Sequence, residues 1–404
     1  MVHLFICEVS MRLILSAILA TTLALPAAAQ STISAEIGAK GIGPTAERLA
    51  ALPAPAPADL FALGGLRFLG GIEMALQTRW RHGLSSPMRM LPILRLPINE
   101  NPRPEPFDPA LIARLFLDLD TGMASARKAL AEIPPNSDFG LEIDLSDLWF
   151  DINANTARDP GEDLLAVAGA MMRGPGDGAP PVIRFDGPDA AWLKAYGHAL
   201  SGVAQVVLAY DPTAAITKAT AASAALHDLN DVHMAPEDFN RQFGEFADII
   251  AMVLGALDQP PDAARAKAAQ AQFLGMIAEN RRFWAEVALE TDNDREWLPN
   301  DAQESALVGP LPAGTGATWL RVLEDGEALL TGTKLAPYWR LDDSAGVNVA
   351  RMFTDPRAID LVAWIQGADA LPYLEKGPVV SAESWRDFER LIGGQGMLFA
   401  LYLN

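Results

Sequence analysis

The sequence predicts a mainly α-helical globular protein with long irregular connections. Three observations carry that expectation. Apolar residues recur at helical spacing across 189–209, 213–229, 236–257 and 262–290. Asp-Pro pairs at 108–109, 159–160 and 355–356 place a capping carboxylate before a proline at the first helical position. Strand signals are sparse: Leu141 to Leu145 alternates, Pro181 to Phe185 is a short candidate, and neither carries a hairpin turn.

In chain order, Met11-Arg12 supplies a positive start, and the apolar run Leu13 to Leu25 is followed by Pro26 and Ala27-Ala28-Ala29. This is a signal-peptide pattern over residues 1–29, with cleavage after Ala29, so a periplasmic or secreted protein is expected. The run is shorter than the about 20 apolar residues a span needs, and no later run reaches that length. The only cysteine, Cys7, precedes the cleavage point. The mature chain then has no disulfide and no thiolate. Residues 30–58, rich in Ala and Pro, read as an extended lead-in. From Asp59, Leu60, Leu63, Leu66 and Leu69 suit a helix, against the glycines at 64, 65, 70 and 71. Prolines make 86–107 a loop. The Asp-Pro starts open helices bearing Leu111, Ile112 and Leu115, then Leu164, Leu165, Ala168, Met171 and Met172, then Ile359, Leu361, Val362 and Ile365. Asp211-Pro212 and Gln259-Pro260-Pro261-Asp262 separate the long patterns. A first helical domain over 59–258 and a Trp-rich helical subdomain over 259–404 are expected. Trp319, Trp339, Trp364 and Trp385 concentrate in the last quarter.

The chain has 404 residues, 50% hydrophobic and 20% charged, with a formal net charge of −20. Nucleic-acid binding and docking on an anionic lipid surface are therefore disfavoured. The sequence does not identify the protein or small-molecule partner that remains.

One segment carries coordination chemistry. In Asp151-Ile152-Asn153-Ala154-Asn155-Thr156-Ala157-Arg158-Asp159-Pro160-Gly161-Glu162, oxygen side chains fall at positions 1, 3, 5, 9 and 12, and Ala157 at position 7 offers its carbonyl. The segment resembles the calcium loop of the EF-hand family, including dockerin-like variants. The resemblance covers twelve residues and leaves the rest of the chain unassigned. It implies that Asp151, Asn153, Asn155, Ala157 and Glu162 bind calcium directly, and that Asp159 acts through water. It also implies a helix-loop-helix, with Leu141, Leu145, Leu148 and Trp149 on the incoming helix and Asp159-Pro160 capping the outgoing one. Thr156 stands where the family has glycine, and a β-branched residue strains at positive φ. A weak site, on the order of 10⁻⁴ to 10⁻³ M, is expected.

Two further groupings are candidates. Glu290, Asp292, Asp294 and Glu296 form an acidic cluster that opens like a second calcium loop, but Gln303 stands where the closing carboxylate belongs. His227, Asp231 and His233 lie close together in sequence. His198, in an amphipathic run, reads as a partly buried structural histidine. No phosphate-cradling, dinucleotide, G-x-S-x-G or H-E-x-x-H motif occurs. The first expectation is an exported binding or structural protein with a structural calcium loop. The alternative is an exported metal-dependent hydrolase using 227–233 or 290–296. A third is a helical docking surface anchored by the C-terminal tryptophans.

Overall fold

The computed structural model describes residues 25–84, 93–168, 181–229, 239–307, 311–394 and Ala400. Thirteen α-helices and four short strands are found among them, so the fold is mainly α. Most of the signal-peptide pattern lies outside the described residues.

The stretch expected as an extended lead-in is helical instead. Helix α1 (Leu25–Lys40) and helix α2 (Ile42–Ala50) place Ile33, Ile37, Ile42 and Leu49 in the core. Those apolar residues fall at helical spacing, and their burial outweighs the Ala/Pro composition of the segment.

Helix α3 (Pro57–Arg81) runs through all four of the glycines that weakened its prediction. One of them has a packing role. Helix α4 (Leu111–Leu130) crosses α3 so closely that a Cβ on Gly122 would lie 2.8 Å from the Cα of Gly71. The start of α4 is shifted from the Asp-Pro pair: Asp108 Oδ1 accepts the Ala110 N–H at 2.9 Å and the helix follows.

Strands β1 (Leu141–Asp144) and β2 (Val182–Phe185) are the two sequence candidates, and they pair with each other antiparallel, Ile143 facing Ile183. This corrects the incoming helix expected before residue 151. Leu141 and Ile143 are buried while Glu142 and Asp144 are half-exposed, which is the two-residue period of a strand. A single 3₁₀ turn, Leu145–Asp147, follows, capped by Asp144 Oδ1 on the Ser146 N–H at 2.8 Å. The element beyond the loop is the short helix α5 (Leu164–Ala168). Met171 and Met172 lie outside the described residues.

The remaining long helices match their sequence patterns closely. They are α6 (Gly187–Ala209), α7 (Thr213–Asp228), α8 (Phe239–Leu257) and α9 (Ala263–Val287). Asp262 caps α9 by accepting the N–H groups of Ala264 and Arg265. Helix α4 packs between α3 and α6, and α9 packs along α6. The main core therefore runs across the division expected at 259, with Phe283, Trp284 and Val287 of α9 in the same apolar cluster as Leu66 and Leu115. Helix α8 packs against α7 and leaves Phe246, Ile249, Ile250 and Val253 exposed.

The C-terminal part contains α10 (Thr315–Thr331), β3 (Ala345–Val347), α11 (Val349–Thr354), α12 (Leu361–Gln366), β4 (Leu374–Lys376) and α13 (Glu383–Leu391). Asp360, and not Asp355, caps α12, accepting from Val362 and Ala363. Trp319 belongs to the main core, donating its indole N–H to Asn280 Oδ1 at 3.0 Å. Trp339 is exposed under the Arg340 guanidinium. A small satellite core of Tyr338, Val347, Ala370 and Tyr373 joins the last elements. Among the described residues, no single helix is long and apolar enough to cross a membrane.

Candidate functional site

The 151–162 loop curls back on itself. Trp149 and Asp163 form an antiparallel bridge at its neck, and Ala154 (φ 57°), Thr156 (φ 63°) and Gly161 (φ 93°) take left-handed backbone. Thr156 thus adopts the conformation for which the EF-hand pattern has glycine. Asp151 Oδ1 and Oδ2 accept the N–H groups of Asn155 and Thr156 at 2.9 and 3.0 Å. Asn153 Oδ1 accepts from Asn155 N, and Asn155 Oδ1 from Ala157 N. The side-chain amides of Asn153 and Asn155 both donate to Asp159 Oδ2 at 2.7 Å. Buried Glu162 accepts from Ile152 N with Oε1 (2.9 Å) and from Asp159 N with Oε2 (2.8 Å). Burial raises the Glu162 pKa, and the loop N–H groups oppose that rise.

Asp151, Asn153, Asn155, Asp159 and Glu162 are linked through the hydrogen bonds of one loop, and amide hydrogens occupy many of their oxygens. Among the described residues, no three His, Cys, Asp or Glu side chains are arranged to hold a metal ion. Sequence reasoning missed one neighbour. Glu73, on α3, accepts the Asp151 N–H with Oε2 at 2.8 Å, and burial raises its pKa to about 7.

The second acidic cluster gains members from distant sequence. Asp186 follows β2 as the N-cap of α6 and Asp189 lies in the first turn of that helix; both act electrostatically with Glu290 and Glu296. Burial, reinforced by neighbouring carboxylates, raises Asp186 to about 6 and Glu290 to about 8, and lifts fully buried Asp189 well above the usual range. Arg184 forms ion pairs with Asp186, Asp292 and Asp294 at 3.3–3.8 Å. Gln303, where a calcium loop would close on a carboxylate, donates its amide to Glu290 Oε2 and to the Asp292 carbonyl. The cluster is thus closed by an amide, with Asp189 and Glu290 pushed toward the neutral acid and Asp186, Asp292 and Asp294 paired with Arg184.

His227 lies at the end of α7. Asp231 and His233 lie outside the described residues. His198 is half-buried with Nδ1 2.6 Å from Gln272 Oε1, and burial lowers its pKa.

Between these features lies an apolar cavity of about 560 Å³, bounded by α3, β1, β2, α5 and α6. Seven aromatic rings among the described residues line it: Phe150, and Phe61, Phe68, Phe185, Trp192, Tyr196 and Trp297. The last six form one connected series. Phe68 meets Tyr196 at 5.5 Å between centroids, Tyr196 stacks on Trp192 (5.6 Å), Trp192 meets Trp297 edge-on (5.2 Å), and Phe185 links Trp297 to Phe61 (5.9 and 5.4 Å). The loop touches the cavity at both ends, because Phe150, just before it, and Leu164, just after it, are both lining residues.

Arg95 is the one charged side chain among the described lining residues. Its placement has a cause. Arg79, fully buried on α3, donates Nη1 to the carbonyls of Ile93 (2.9 Å) and Leu96 (2.8 Å) and Nε to that of Leu84 (3.2 Å). It thereby fixes the non-helical segment carrying Ile93, Arg95 and Leu96 against the cavity. Burial lowers the Arg79 pKa to about 10, so it stays charged at neutral pH. No sequence motif marked Arg79, Arg95 or the aromatic series. Arg79 and Arg81 stand in the last turn of α3, where basic residues are ordinary, so their position did not single out Arg79. Comparison of the chain with family models, curated proteins and solved structures gives no match.

Proposed function

We propose that the protein is an exported binding protein whose receptor is this interior cavity, with the 151–162 loop as a structural clamp at its edge. The cavity carries the reading. Its volume lies within the range of about 300–1,000 Å³ usual for small-molecule sites, and its wall is apolar and aromatic with a single cation among the described residues. Water gains little in such a space, since it needs two to four polar partners. A hydrocarbon ligand replaces missing dispersion contacts along the whole wall. A binding role is favoured over hydrolysis because the described wall contains no carboxylate, histidine or serine. Trp192 and Trp297 face the cavity, so binding of an apolar ligand changes tryptophan emission. Titration with oleyl alcohol, followed by fluorescence and native mass spectrometry, tests the reading. A saturable one-to-one complex supports it, and no complex at the solubility limit overturns it.

The loop is proposed to take calcium, through Asp151, Asn153, Asn155, the Ala157 carbonyl and Glu162, with Asp159 acting through water. The left-handed turn at Thr156 favours this second element. The loop amides already held by these oxygens compete with the ion, so the site is a weak one. Its role is to brace Phe150 and Leu164. Calcium at several millimolar is expected to raise Tm relative to chelator, and Asp151→Asn or Glu162→Gln to remove the increment. An unchanged Tm in the wild-type chain counts against the ion.

A further inference from the structure

We infer that the ligand is a single-chain amphiphile with an anionic head, its chain in the cavity and its head on Arg95. The inference rests on the cavity reading above and adds the head-group chemistry.

Arg95 is half-buried, whereas the aromatic and aliphatic wall beside it is largely closed to solvent. One guanidinium therefore sits where the apolar space meets water. It has no ion-pair partner among the described residues, although acidic groups outnumber basic ones 51 to 31 in the whole chain. The Arg79 hydrogen bonds hold its backbone in place, so its position is preorganised. Arg95 also acts electrostatically on Tyr196, where it lowers a phenol pKa that burial raises. A planar, permanently charged fork suits a carboxylate or a phosphate monoester, which it binds through paired hydrogen bonds.

The opposite polarity is disfavoured by geometry. Asp186 directly follows Phe185 and Glu296 directly precedes Trp297, but none of the carboxylates of Asp186, Asp189, Glu290 and Glu296 lines the cavity. A cationic head would find no counter-charge on the described wall and would face Arg95.

The test uses one chain length with four heads: oleate, oleyl phosphate, oleyl alcohol and oleylamine, titrated against the full chain by calorimetry and tryptophan emission. Oleate or oleyl phosphate is expected to bind about tenfold or more tightly than the alcohol, and oleylamine more weakly than either anion. A preference between the two anions identifies the head. Arg95→Gln is expected to bring the anions down toward the level of the alcohol, with a much smaller effect on the alcohol itself. Gly65→Phe serves as the control that blocks every probe. Gly65 lines the cavity, and a Cβ there meets nothing closer than Leu193 at 3.9 Å, so the ring has space to enter. Circular dichroism and Tm verify that each variant is folded. Equal binding of oleate and oleyl alcohol, unchanged in Arg95→Gln, overturns the head-group inference and leaves the cavity reading standing. Tight oleylamine binding overturns it as well. Failure of all four probes on the wild-type chain overturns the cavity reading itself.

Discussion

Glu73 holds the first residue of the 151–162 loop: its Oε2 accepts the Asp151 N–H at 2.8 Å, while Gln77, one turn further along α3, donates to the Asp151 carbonyl at 2.8 Å. The loop entrance is thereby fixed to the helix that also forms part of the cavity wall. Glu73→Ala leaves a part-buried N–H without its acceptor, and a loss of about 1–3 kcal/mol is expected from urea denaturation. Glu73→Gln retains an acceptor oxygen and should lose much less. Equal losses in the two variants would show that the acceptor is not what matters.

The raised carboxyls set the direction of pH dependence. Glu73, Asp186 and Glu290 titrate near 7, 6 and 8 in the folded protein, and near ordinary carboxylate values once unfolded. Between those limits the native state binds more protons than the unfolded state, so their contribution to stability falls as pH rises. It is fully present below the ordinary carboxylate range and is lost progressively up to about pH 8. Tm is therefore expected to be higher near pH 5.5 than near pH 8.5. Glu290→Gln and Asp186→Asn remove the burial penalty of the charged form. Each should raise Tm at the higher pH and flatten the profile. A Tm that climbs with pH over this interval contradicts the assignment.

The sequence made the long helices legible because Asp211-Pro212 and the 259–262 turn end them on both sides, and their apolar faces extend over several turns. Leu141 to Trp149 fitted two templates, since short apolar runs satisfy both strand and helix periods. Pairing with Val182 to Phe185 selected the strand, which is a tertiary effect. The Asp159-Pro160 signal failed as an immediate helix start because both Asn amides take the Asp159 carboxylate. The 290–296 carboxylates were visible as a cluster, but Asp186 and Asp189 reach them from a hundred residues away. The cavity was invisible for the same reason. Phe61, Phe185 with Trp192, and Trp297 come from three separate parts of the chain, and each on its own reads as an ordinary core residue.

Thr156 offers a direct probe of stored strain. Its φ of 63° costs a β-branched residue about 1–2 kcal/mol, and glycine occupies that region freely. Glycine also enlarges the unfolded ensemble, which offsets about 0.4–1 kcal/mol. Thr156→Gly is therefore expected to stabilise the chain by roughly 0.5–1 kcal/mol in chemical denaturation. With calcium present the gain should grow, because relief of strain in the loop strengthens the proposed site. A destabilised Thr156→Gly variant would mean that the loop relaxes elsewhere.

Arg79 separates the fold's support of the cavity from ligand chemistry at Arg95. Arg79→Met keeps much of the side-chain volume and strips three carbonyls, those of Leu84, Ile93 and Leu96, of their donor. A loss on the order of 3 kcal/mol is expected, since charge-assisted bonds to part-buried acceptors are replaced by nothing. Arg95→Gln removes a half-buried charge with no ion-pair partner among the described residues, and stability should change by less than about 0.5 kcal/mol. The two variants should therefore respond oppositely in two measurements. Arg79→Met lowers Tm and weakens every apolar probe, charged or neutral, because the segment carrying Ile93 and Leu96 is released from the wall. Arg95→Gln leaves Tm nearly unchanged and weakens anionic probes far more than neutral ones. If Arg79→Met kept the wild-type Tm, the buried guanidinium would not be the brace of this wall, and the preorganisation of Arg95 would need another source.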